Sequence, residues 1–92
     1  MALQIKSAPS TPADAEKISA EIRASIEKAI EGAAVEVTAT GPGHFEIQVT
    51  SSSFDGETRV VQQQRVYSAI AHFMKGDDAP VHAVDRLRTL LP

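Results

Sequence analysis

The chain has 92 residues, no cysteine and a formal charge of −3, with Leu, Ile, Val and Phe making up about a quarter of it. That is one small domain with material for a core, and too much of it for a disordered chain. The absence of cysteine excludes disulfides, thiolate catalysis and a self-contained thiolate metal site, and no apolar run approaches the roughly 18 residues of a membrane span.

The opening MALQIKSAPS has no apolar stretch of signal-peptide length, so a cytoplasmic location is expected. Residues 1–10 read as a flexible tail ahead of a single domain over 11–92. Thr11 is placed to cap a helix, Pro12 fits its first position, and the Asp14 carboxylate can reach back to the cap amide. Ile18, Ile22, Ile26 and Ile30 recur at every fourth position and form one slanting apolar stripe. Gly32 is suited to end that helix in a left-handed conformation.

Two strands are expected next. Val35, Val37 and Ala39 alternate with polar residues, as do Phe45, Ile47 and Val49. A period of two marks a half-exposed antiparallel pair, and Gly41-Pro42-Gly43 is its turn. Residues 51–56 form a loop with one short helical turn that tucks Phe54 inward. A second helix is predicted from about Thr58 to Lys75, with Val66, Ala69, Ile70 and Phe73 inward and Val60, Tyr67 and Met74 alongside at heptad spacing. Residues 76–80 stop it. Val81, Ala83 and Leu87 then alternate with His82, Val84, Arg86 and Arg88 as a third strand, Val81, Ala83 and Leu87 facing inward.

The resulting order is α-β-β-(short α)-α-β. A crossover the length of the second helix suits a parallel return, right-handed by the general rule. The expected architecture is α+β, a three-stranded mixed sheet with two main helices on one face and the other face open.

Three histidines are the main chemical resource. His72 falls on the polar side of the second helix. His44 and His82 open the second and third strands, and the alternation puts both on the open face, side by side if those strands are parallel neighbours. A neutral imidazole ligates zinc, iron or copper well. Two of them need further ligands from a partner or small molecule to make a useful site. The competing reading is that His44 caps the turn and His82 fills a surface slot.

Catalytic constellations are absent. The serines at 51–53 have no base at a recognisable spacing, the carboxylates are scattered, and no nucleotide-binding fingerprint is present, so the chain is expected not to be an enzyme. Charge is uneven: −4 over residues 34–57 and +2 over residues 58–92. Contacts with anions therefore fall to the last third, where Arg59, Arg65, Arg86 and Arg88 lie, although no interleaved aromatics offer a base-stacking surface.

At Gly43-His44-Phe45, Phe54-Asp55-Gly56, Arg65-Val66-Tyr67 and Val81-His82-Ala83-Val84 the chain resembles the BolA-like family. Those blocks correspond to its "SHF", "FxG", "RxVY" and "IHAL/IHAV" segments, in order and in register over residues 14–85. The resemblance implies a class II KH-like fold. It also implies a cytoplasmic adaptor that partners a monothiol glutaredoxin and shares a bridging 2Fe-2S cluster with it, in iron–sulfur trafficking or iron regulation. One side of such a cluster is held by the glutaredoxin cysteine and a glutathione thiolate, and the other by the histidine of the last strand, which maps onto His82. Replacing thiolate by imidazole lowers cluster charge and raises its potential.

Many relatives carry a second His or Cys in a longer loop between strands 1 and 2. Here that loop is Gly-Pro-Gly, as in a short-loop, acid-stress-type bacterial branch, and His44 is the candidate second ligand by proximity. Gln64 stands where relatives often have a histidine. Asp85-Arg86-Leu87-Arg88-Thr89 holds an apparent extra residue against their "SIKT" strand end, with no "TPxxW" tail helix after it. Arg65, Arg86 and Arg88 are candidate docking residues, and the protein alone is expected to be a monomer or weak homodimer. The alternative implied by the family is a DNA-binding regulator of stress response using residues 52–75. Arg59, Arg65 and Lys75 would then meet phosphates, although the local charge is only +1.

Overall fold

Residues 12–92 are described by a computed structural model. The expected tail over residues 1–10 and the Thr11 cap lie outside the described residues. Helix α1 spans Pro12–Ala29, with Asp14 in its first turn and Lys28 in its last, the signs that complement the helix dipole. Its isoleucine stripe turns Ile22, Ile26 and Ile30 into the core, with Ile18 packed at the edge. Gly32 follows at φ +68°, the left-handed conformation that releases the chain into the sheet.

Strands β1 (Ala34–Gly41) and β2 (His44–Thr50) pair antiparallel, and β3 (Ala83–Leu90) pairs parallel to β2. The sheet order is β1-β2-β3, so β2 is central. Val35, Phe45, Ile47 and Val49 meet Ile22, Ile26 and Ile30 of α1 and Val66 and Ile70 of helix α2, which runs Arg59–Ile70. Both helices therefore cover one face, as expected from the alternating pattern. The other face carries Glu36, Thr38, Glu46, Gln48, Arg86 and Arg88, which line a shallow polar cleft. No helix among the described residues is long and apolar enough to cross a membrane.

The turn after β2 is the 3-10 helix Ser52–Phe54. Ser51 is 1% exposed, yet its polar atoms are satisfied. Its hydroxyl donates to the Glu31 carbonyl at 2.7 Å and accepts the Ser53 amide at 3.1 Å, which ties the end of α1 to the turn. Ser51→Ala is expected to lower stability by about 1–2 kcal/mol, because the cap is lost and the Glu31 carbonyl loses its donor together. Urea unfolding monitored by circular dichroism checks it.

Two local expectations are corrected. The second helix does not reach Lys75: α2 stops at Ile70 and tightens into a 3-10 turn over Ala71–Phe73. The Phe73 carbonyl is then free to accept the Val81 amide at 3.2 Å, while Phe73 and Met74 still pack on the core. In the third strand, Val84 rather than Ala83 lies on the core side. Phe45 pairs with Val84 and Glu46 with Arg86, so Asp85 is an unpaired bulge residue. One extra residue flips the alternation beyond it, which keeps Leu87 inward while placing Ala83 beside His44.

Candidate functional site

The aligned starts of β2 and β3 gather most of the chemistry. Gly43, at φ +75°, presents its carbonyl to two amides, those of His82 (2.8 Å) and Ala83 (3.1 Å). This convergence is not ladder geometry, and it holds His82 just ahead of β3 rather than within it. Ala83, not His82, takes the open-face position opposite His44, so the expected side-by-side placement of the two histidines on that face is corrected. His82 is nonetheless exposed, beside the first residues of β2. His44 is paired with Ala83 and is exposed too. The parallel pairing thus brings His44 and His82 to neighbouring positions, whereas exposed His72 lies against Phe73 in the helical layer.

His44 is not a free ring. Its Nδ1 lies 2.9 Å from Asp85 Oδ1, and Thr40 Oγ1 donates to Asp85 Oδ2, also at 2.9 Å. Hydrogen bonds from His44 first and Thr40 second hold the Asp85 carboxyl below its usual range. Asp85 is therefore ionised at neutral pH and acts as acceptor only. Neither Asp85, the partner of His44, nor Thr40, the partner of Asp85, is foreseen from spacing. The extra residue in the last strand is the one signal that could have pointed to Asp85.

The arginines separate into two kinds. Arg65 is half-buried and occupied: Nη1 donates to Glu57 Oε1 at 2.7 Å and to the Ser53 carbonyl at 3.2 Å, and the guanidinium sits 5.3 Å from the Phe54 ring centroid. Arg86 and Arg88 project from the open face and form no salt bridge with any described residue. Arg59 and Lys75 flank opposite ends of α2, about 18 Å of helix apart. Arg59, Arg65 and Lys75 therefore do not converge on one phosphate-sized patch.

The donor set decides which metal chemistry fits. Among the described residues no three His, Cys, Asp or Glu side chains converge to hold a metal ion. Two exposed histidines at neighbouring backbone positions on a cysteine-free chain do not make a cluster site by themselves, and any such site needs thiolates from another molecule.

Comparison with known proteins agrees with this architecture. Residues 17–90 match the family model described as BolA-like protein. The BolA domain of SufE1 from Arabidopsis thaliana superposes with a TM-score of 0.66 at 19% identity, covering 82% of this chain and 92% of that one. BolA1 from Arabidopsis thaliana gives a TM-score of 0.69 at 19% identity over 80% of this chain and 90% of that one. BolA1 from Mus musculus gives 0.65 at 25% identity over 100% of this chain and 74% of that one. No curated protein matches significantly.

Proposed function

The chain belongs to the BolA-like family, and from that premise we propose that it is a non-enzymatic adaptor that docks a monothiol glutaredoxin and shares a bridging 2Fe-2S cluster as cargo. The observation that supports this reading is that His44 and His82 are both exposed and lie at neighbouring backbone positions on a chain without cysteine. His82 supplies one nitrogen ligand, and His44 a second from the adjacent strand. The glutaredoxin cysteine and glutathione supply the thiolates. When bound, such a cluster offers iron–sulfur redox and transfer chemistry with a potential raised by its imidazole ligands.

This chain's own work is presentation. Its sheet end presents two ligands at a rim open to a protein partner, and Arg86 and Arg88, which form no ion pair with a described residue, offer charge on the open face. Mixing the chain with a monothiol glutaredoxin, iron, sulfide and glutathione is expected to change the visible absorption and dichroism relative to the glutaredoxin alone. A spectrum identical to that of the glutaredoxin alone would sink the reading.

A further inference from the structure

We propose that Asp85 is the positioning residue of His44, holding the imidazole proton on Nδ1 so that the Nε2 lone pair faces outward. The inference rests on the reading of His44 as a ligand for its purpose, but the geometry that carries it is independent of any metal.

Two register breaks flank Phe45, the residue after His44. On one side of β2, Phe45 pairs with Val84 and Glu46 with Arg86, leaving Asp85 unpaired in β3. On the other side Ala39 pairs with Phe45 and Gly41 with His44, leaving Thr40 unpaired in β1. A bulge frees a residue from the ladder and re-aims its side chain. Here each edge strand releases one residue beside Phe45, and Asp85 bonds both to the other freed side chain and to the ring: Thr40 Oγ1 donates to Asp85 Oδ2, and His44 Nδ1 lies against Asp85 Oδ1, each at 2.9 Å. The second bulge supplies a hydroxyl that holds the carboxylate from its other oxygen and so fixes its orientation toward the histidine.

The chemistry follows from the carboxylate being an acceptor only. The ring nitrogen facing it must carry the proton, so a neutral His44 keeps its lone pair on Nε2. A carboxylate behind an imidazole is the arrangement that orients metal-binding histidines and raises their basicity. His44 and Asp85 are 46% and 41% exposed, so the bond does little to hold the fold together and its consequence is orientation.

The test is long-range 1H–15N NMR of the imidazole nitrogens of the isolated, labelled chain, at a pH where the rings are neutral. His44 is expected to read as the Nδ1–H form. Asp85→Ala is expected to move it toward the Nε2–H form while backbone amide shifts distant from the sheet end stay in place, and Thr40→Val to move it part of the way. An unchanged His44 tautomer in Asp85→Ala, or an Nε2–H ring in the unaltered chain, overturns the proposal.

With a glutaredoxin, iron, sulfide and glutathione, Asp85→Ala is expected to weaken the cluster-bridged complex by about 10–100-fold, with no further loss when added to His44→Ala. Loss of affinity that adds fully to that of His44→Ala overturns the positioning role. The two readings fail separately. A glutaredoxin spectrum that the unaltered chain does not change counts against the shared cluster, whereas the tautomer measurement decides the role of Asp85 without metal.

Discussion

Replacing His82 by Ala is expected to remove the histidine-dependent absorption and dichroism of the cluster-bridged complex. The complex should weaken by at least the loss associated with an outer-shell partner of a metal ligand, about 10–100-fold. The expectation follows from how His82 is held. Its backbone is fixed by the amide bond to Gly43, while its side chain is exposed and engaged with no other described residue. Truncation thus takes away a lone pair and little packing, and unfolding should shift by no more than about 0.5 kcal/mol. His72→Ala is the control, because that ring sits against Phe73 in the helical layer and should leave the spectrum unaltered. A spectrum indifferent to His82→Ala would remove this residue from the ligand set.

Phe54→Ala is expected to cost about 3–5 kcal/mol, a large share of the roughly 5–15 kcal/mol that holds a typical domain folded. Phe54 is fully buried at the end of a three-residue 3-10 turn. Hydrogen bonds across the surface cannot replace an aromatic ring in the core. Arg65 lies over that ring and is tied in turn to Glu57 and Ser53, so removing the ring also loosens the loop that leads into α2. Urea unfolding read by circular dichroism measures the change. Val60→Ala, at a side chain 63% exposed, should stay within about 0.5 kcal/mol. A Phe54→Ala variant that unfolds within 1 kcal/mol of the parent would show that the ring does not anchor the turn.

The occupied state of Arg65 bears on partner choice. A guanidinium already bonded to a carboxylate and two serine groups must give those bonds up before it can hold a phosphate. Arg86 and Arg88 form no such bonds with the described residues. An anion contact at Arg65 therefore costs bonds that one at Arg86 or Arg88 does not.

Periodicity in the sequence was sufficient for the elements and the layer arrangement. Isoleucines every fourth residue can share only one face of a helix, and residues alternating by two can share only one face of a strand. Gly41-Pro42-Gly43 leaves β1 no route but to turn back beside β2. The nearness of His44 and His82 along the sheet end was legible from the strand order, but the face of His82 was not, because Ala83 is the residue opposite His44. What the pattern could not carry was phase across an irregularity. A bulge at Asp85 exchanges the faces of Ala83 and Val84, and no local preference in the residues announces it. Only the pairing of β3 against β2, set by how Val84 and Leu87 fit the core beside Phe45 and Ile47, decides where the extra residue goes. The same long-range packing brings Thr40 and Asp85, 45 positions apart, to one histidine. Contacts of that separation depend on the whole sheet closing, and that is why they belong to the tertiary structure alone.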